Sequence, residues 1–133
     1  DKYFQHYYKQ LTLDKLGLYR EAALFMYVRA HMWHLNTKSL AAHLALNTFY
    51  TEMQDLIDTF CESAMAYEQN TMQPTGAAYR FDGFENAIPG LEQFLVISKQ
   101  LHQELQNQPG LTNTLEDIIT LSESTLYKLK HLH

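Results

Sequence analysis

The chain has 133 residues, a length that suits one domain with a sizeable core. Hydrophobic residues make up 46% of the sequence and charged residues 19%, a balance that excludes an intrinsically disordered chain. The net charge is −5, so the chain lacks the excess of lysine and arginine that marks a general nucleic-acid binder.

The cysteine count and the hydropathy indicate the compartment. Cys61 is the only cysteine, so no disulfide forms within the chain and a reducing environment fits best. No apolar run approaches the ~20 residues that span a bilayer, and the first fifteen residues lack the apolar stretch of a signal peptide. We therefore expect a cytoplasmic protein that does not associate with membranes.

The first half of the chain has the apolar period of two long helices. The pattern predicts a first helix from about Asp14 to Leu35, followed by a break at Asn36 and Thr37. Ser39 is a suitable N-cap for a second helix, which is predicted to reach about Tyr67. The apolar stripe of this second helix runs without interruption through Leu46, Phe49, Tyr50, Met53, Leu56, Ile57, Phe60 and Ala64.

The second half begins with a segment that is rich in turn residues. Residues 69–90 contain two prolines and three glycines, which predicts a long loop with at most a short helical turn. A third helix is predicted to start near Pro89 and to stop at the sequence NQPG. Asn113 and Glu116 have the spacing of a capping box, which predicts the start of a fourth helix.

These elements predict the fold class. The sequence has no segment of alternating polarity and no internal repeat, so we expect an all-α protein. Two long helices, a long middle connection and two further helices match a ferritin-like four-helix bundle with a crossover. The prediction is a single ferritin-like domain over residues 1–133.

Two pairs of side chains are candidates for metal ligands, because imidazole and carboxylate groups suit iron, manganese and zinc. His31 and His43 lie six residues before and after Thr37, so a hairpin centred there would bring them face to face. Asp58 and Glu62 are spaced i, i+4 and therefore lie on one face of the second helix.

The two pairs cannot meet within one chain. Fifteen residues separate His43 from Asp58, which corresponds to roughly 22 Å along a helix, whereas metal bonds are about 2 Å long. A single site made of all four residues therefore needs carboxylates from a second copy. A two-fold axis would then create the site twice in a homodimer.

The span from residue 30 to 66, AHMWHLNTKSLAAHLALNTFYTEMQDLIDTFCESAMA, resembles the signature of the Dps miniferritins, the DNA-binding proteins from starved cells. That family has a histidine near a tryptophan, a second histidine, and a later Asp-x-x-x-Glu motif. His31, His43, Asp58 and Glu62 match these positions without a gap. The chain departs from the pattern at Met32, which separates His31 from Trp33, and the resemblance covers about 37 residues.

The resemblance implies a ferroxidase and iron-storage or detoxification protein. In that family the four residues bind iron between two subunits, and Fe²⁺ is oxidised by hydrogen peroxide or oxygen. It also implies a dodecameric shell of identical subunits, with zinc or manganese as substitutes for iron. The lysine-rich tail that many members use on DNA is absent from this sequence, so we do not expect DNA as a partner.

Two other functions were weighed against this one. A di-iron carboxylate oxidase with its site inside the bundle needs Glu-x-x-His motifs, and the sequence contains none. A non-enzymatic ferritin-like bundle with a structural or partner-binding role remains open. In the ferroxidase hypothesis His34 has no role as a ligand, and Trp33 is a core aromatic.

Overall fold

The computed structural model describes the backbone of residues 2–133 and the side chains of residues 15–133. The described chain is helical and contains no strand, which confirms the all-α prediction. A single 3-10 turn, Phe84–Asn86, precedes the third of four helices. The α-helices are α1 (Lys2–Asn36), α2 (Leu40–Glu68), α3 (Ala87–Glu104) and α4 (Pro109–His131).

The observed helix ends differ from the predicted ones in two places. The first helix begins at Lys2 rather than near Asp14, because residues 2–13 include no glycine or proline that would stop the helix. The last helix begins at Pro109, and the capping box at Asn113 was therefore wrong. Proline suits the first helical position because its missing N–H would have no partner there.

The helices pack so that every neighbour is antiparallel. α1 contacts α2 and α3, while α4 contacts the other faces of the same two helices. Lys15 Nζ lies 2.7 Å from Glu104 Oε1, which joins the part of α1 where side chains are first described to the end of α3. At the opposite end of the bundle, Trp33 packs against Gly90 at the start of α3. α2 and α3 are therefore diagonal and parallel, so their connection must run the length of the bundle.

The connection over residues 69–83 follows α1 from one end of the bundle to the other. Near its middle, the Thr75 backbone N–H donates to Glu21 Oε1 at 2.8 Å, and the Thr75 hydroxyl donates to the same carboxylate. Further along, the Tyr79 ring packs on Phe25 with centroids 5.0 Å apart. Residues 69–83 therefore run along α1 between the end of α2 and the start of α3.

Asp82 attaches the end of this crossover to α1. Its carboxylate accepts from Arg29 Nε at 2.9 Å, from Arg29 Nη2 at 2.6 Å and from Trp33 Nε1 at 3.1 Å. The Arg29 guanidinium also lies 4.4 Å from the centre of the buried Trp33 ring. Hydrogen bonds from Arg29 lower the pKa of Asp82.

We expect Asp82→Asn to reduce the free energy of unfolding by about 1–2 kcal/mol at neutral pH, because it removes charge-assisted hydrogen bonds. The folded-state pKa of Asp82 is lowered. Its contribution is therefore present above the unfolded value of about 3.9 and is lost as the pH falls through the folded value. Urea unfolding at pH 7 and about pH 3 measures the free energy of unfolding of the variant and the native protein. The prediction would be contradicted if Asp82→Asn lost the same free energy at both pH values. It would also be contradicted if the exposed control Asp55→Asn lost as much as Asp82→Asn.

Gly90 is required by the close approach of α3 to α1. A Cβ atom at this position would lie 2.7 Å from Trp33 Cη2 and 3.0 Å from Arg29 Nη1. Trp33 is fully buried and cannot move aside. We expect Gly90→Ala to destabilise the protein by about 1–2 kcal/mol, although alanine gains about 1 kcal/mol in helix propensity. Thermal unfolding beside Gly110→Ala, where the added Cβ meets nothing within 4 Å, tests the prediction.

Candidate metal centre at the helical hairpin

The hairpin between α1 and α2 is a tight turn of three residues. Ser39 Oγ accepts from the Ala42 N–H at 3.2 Å, which confirms the predicted N-cap of α2. The Thr37 N–H closes the last turn of α1 by donating to Trp33 O at 2.9 Å. The turn is therefore centred on Lys38, one residue later than the predicted centre at Thr37.

This shift changes which histidines meet. The rings of His34 and His43 stack with centroids 3.6 Å apart and an angle of 23° between their planes. His34 is buried with 8% of its surface exposed, and His43 is half-buried. His34 was not predicted to be part of the site, but its ring is the one that packs on His43. Positions 34 and 43 are symmetric about the Lys38–Ser39 peptide, whereas a hairpin centred on Thr37 pairs His43 with His31.

The two stacked imidazoles exchange hydrogen bonds with each other's backbone. His34 Nδ1 lies 2.7 Å from His43 O, and His43 Nδ1 lies 2.8 Å from His34 O. A carbonyl oxygen only accepts, so both Nδ1 atoms carry a proton and donate it. In the neutral rings the Nε2 atoms therefore keep their lone pairs, which is the state that binds a metal ion.

His31 lies at the surface beside this pair. Its ring stacks on Tyr50 of α2 with centroids 4.2 Å apart, and its centroid is 6.0 Å from that of His34. On α1 it shares one helical face with Leu24, Val28 and Leu35, all of which are exposed. The hairpin end of the molecule thus presents imidazole groups within an exposed apolar stripe.

Asp58 and Glu62 lie further along α2, and both are exposed. Neither forms an ion pair with any residue between 15 and 133. Cys61 lies between them on the buried side, where burial raises the pKa of its thiol. A thiol is a weaker metal ligand than a thiolate, so the candidate ligands at this position are the two carboxylates.

A single chain holds these groups apart. His43 and Asp58 are separated by fifteen helical residues, or roughly 22 Å along α2. Among the described residues, no group of three or more histidine, cysteine, aspartate or glutamate side chains is arranged to hold a metal ion. Each chain therefore holds two separate groups of candidate ligands, imidazoles at the hairpin and carboxylates further along α2.

Comparisons with known proteins place the chain in a family. A family model described as "Family of unknown function (DUF5856)" matches residues 34–129. The chain belongs to this DUF5856 family. It is also similar to the "Uncharacterized 14.6 kDa protein in mobD-ri intergenic region" of Enterobacteria phage T4, with 28% identity over 117 residues. That alignment covers 87% of this chain and 85% of the phage protein.

The DUF5856 match includes the stacked histidine pair and both carboxylates, whereas His31 precedes it. No solved structure matches the chain. None of the described helices is long and apolar enough to cross a membrane.

Proposed function

We propose that this DUF5856 protein is a Dps-like ferroxidase that oxidises Fe²⁺ and stores or detoxifies the product. Its site would combine His31 and His43 of one subunit with Asp58 and Glu62 of another. The observation that carries the proposal is the distribution of these groups. Imidazole and carboxylate ligands lie on the same helical hairpin, at positions too far apart to serve one ion within a chain.

The path of the chain supports a ferritin-like bundle. In that plan one long crossover joins the two helical pairs of a four-helix bundle. Residues 69–83 make such a connection between the diagonal helices α2 and α3. Fold alone does not determine function, so the proposal depends on the ligands rather than on this similarity.

The exposed surface of α1 supports a two-fold dimer. Tyr19 of α1 packs beside Phe60 of α2 with ring centroids 5.6 Å apart. Phe60 lies between Asp58 and Glu62, so Tyr19 marks the position along α1 that is level with these carboxylates. The midpoint between Tyr19 and His31 falls between Leu24 and Val28, each 42% exposed. A two-fold axis there would cover these apolar side chains. The same axis would bring each imidazole end to a carboxylate end, creating two sites per dimer.

The ligand set fits the proposed substrate. Imidazole nitrogen and carboxylate oxygen both bind Fe²⁺, and the two carboxylates favour the higher charge of Fe³⁺. Each ferrous ion gives up one electron, so two ions reduce one hydrogen peroxide, with two protons, to two water molecules. Zinc or manganese would compete for the same ligands. Assembly of the dimers into a dodecameric shell, and storage of ferric product inside it, are further parts of the proposal.

Iron oxidation together with particle mass tests the function. We expect the purified protein to oxidise Fe²⁺ faster than buffer in air or with hydrogen peroxide, and to sediment as a dimer or a larger assembly. A monomer that oxidises no iron above the buffer rate would overturn the proposal.

A structural or partner-binding bundle is the second candidate. The observation that favours it is the reciprocal bonding of His34 and His43, which closes the hairpin without any metal ion. Under this alternative, Zn²⁺ would not raise the melting temperature of the protein. The ferroxidase proposal instead requires Zn²⁺ to raise the melting temperature, because a ligand that binds only the folded state stabilises it. This increase should be absent in His43→Ala.

A further inference from the structure

We propose that His34 is a positioning residue that holds the His43 ring with its proton on Nδ1, so that Nε2 is the metal-binding atom. This inference rests on the proposed function, because it assigns a role to His34 within the same site. His34 itself is too buried to reach an ion shared with another subunit, with only 8% of its surface exposed.

The contact between the two rings restricts His43 from two directions. The Nδ1–H group of His43 donates to His34 O at 2.8 Å, which fixes the edge of the ring. The face of the same ring stacks on the His34 imidazole at 3.6 Å, which fixes its plane. Rotation of His43 to offer Nδ1 to a metal would break the hydrogen bond and the stacking together. Metal-binding histidines commonly have such a fixed second nitrogen.

The His34 ring is held by its own surroundings. Its Nδ1–H donates to His43 O at 2.7 Å, and its ring meets Tyr50 edge-on at 5.3 Å. The Tyr50 hydroxyl in turn donates to Asn47 Oδ1 at 2.9 Å. His43 thus packs on a ring that is itself held in place, while the exposed His31 stacks on Tyr50 with its centroid 6.0 Å from that of His34.

The tautomer of His43 tests the inference without iron and without a dimer. Long-range ¹H–¹⁵N correlation spectra of the histidine-labelled protein, at about pH 8.5 where free imidazole is neutral, report which nitrogen carries the proton. We expect protonated Nδ1 and unprotonated Nε2 in both His34 and His43. A His43 ring with its proton on Nε2 would overturn the inference.

Substitutions at position 34 separate positioning from stability. His34→Ala removes the stacking ring and the Nδ1–H donor, and leaves His43 with the backbone carbonyl of residue 34 as its one restraint there. His34→Phe keeps that carbonyl and a ring for stacking, and loses only the donor. Both variants should unfold more easily than the native chain. We expect only His34→Ala to give a mixture of His43 tautomers, with Zn²⁺ affinity lowered about 10–100-fold. His34→Phe should recover the native tautomer and most of the affinity.

The control is His102→Ala, which removes a histidine that pairs with Glu116 on the far helices α3 and α4. It should leave the His43 tautomer and the Zn²⁺ affinity unchanged. If His34→Ala kept the native tautomer of His43 and the native affinity for Zn²⁺, the positioning role of His34 would be refuted. Failure of the ferroxidase proposal is distinguishable, because it would be seen as absent iron oxidation beside an intact His43 tautomer.

Discussion

The double variant Asp58→Asn/Glu62→Gln is expected to lose iron oxidation while it keeps the fold of the native protein. Both side chains are exposed and make no ion pair with residues 15–133, so their replacement by amides should not disturb the bundle. Loss of an outer-shell partner already costs about 10–100-fold in metal affinity or activity, so loss of two direct ligands should cost at least about 100-fold. Stopped-flow oxidation of Fe²⁺ measures the rate, and circular dichroism checks the fold.

Glu52→Gln/Asp55→Asn is the matched control for this variant. These carboxylates are also exposed on α2 and their replacement makes the same change in charge. A general electrostatic attraction of Fe²⁺ would be weakened equally in both double variants. Equal oxidation rates in the two variants would contradict the assignment of Asp58 and Glu62 as ligands.

Glu68→Gln is expected to cause the largest loss of stability, about 3–5 kcal/mol, because it leaves a buried charge without its partner. Arg20 is 2% exposed, and its Nη2 lies 2.8 Å from Glu68 Oε1. Its Nε and Nη1 atoms have no hydrogen-bond partner among the described residues. Glu68 is therefore the one carboxylate among the described residues within ion-pair distance of this guanidinium. Urea unfolding at neutral pH measures the loss.

The exposed pair Lys15–Glu104 provides the comparison for this ion pair. Its side chains are 58% and 34% exposed, so Glu104→Gln should cost about 0–1 kcal/mol. Replacing both buried partners, as Arg20→Met/Glu68→Leu, should restore much of the stability lost in Glu68→Gln, since no charge is then left unpaired. If Glu68→Gln cost no more than Glu104→Gln, the central role of the buried pair would be refuted.

The helices could be predicted from the sequence because their signals are local. The apolar period of α2 and the Ser39 cap determine both its position and its buried face, as observed. The polar attachment of the crossover could not be predicted, because Asp82 meets Arg29 and Trp33 only after the chain has crossed the bundle. Asp82 lies in a segment without periodicity, where neighbouring residues give no information about distant partners.

The candidate site could be predicted in part for the same reason. Helix geometry gives the distance between His43 and Asp58 directly, so spacing alone shows that one site made of both pairs would need a second copy. The role of His34 could not be obtained in this way. Positions 31 and 43 are symmetric about Thr37, and positions 34 and 43 about the Lys38–Ser39 peptide. A displacement of the turn by about one to two residues therefore decides which histidine packs on His43, and periodicity locates helix ends no better than this.

A subunit-mixing experiment tests the shared site most directly. His31→Ala/His43→Ala lacks the imidazole half, and Asp58→Asn/Glu62→Gln lacks the carboxylate half, so each alone should be inactive. When the two variants are unfolded together and refolded as a mixture, each mixed dimer regains one intact site. With random pairing, the mixture should recover about a quarter of the native rate of iron oxidation. A mixture that forms mixed dimers yet stays as inactive as its two parents would contradict a site shared between subunits.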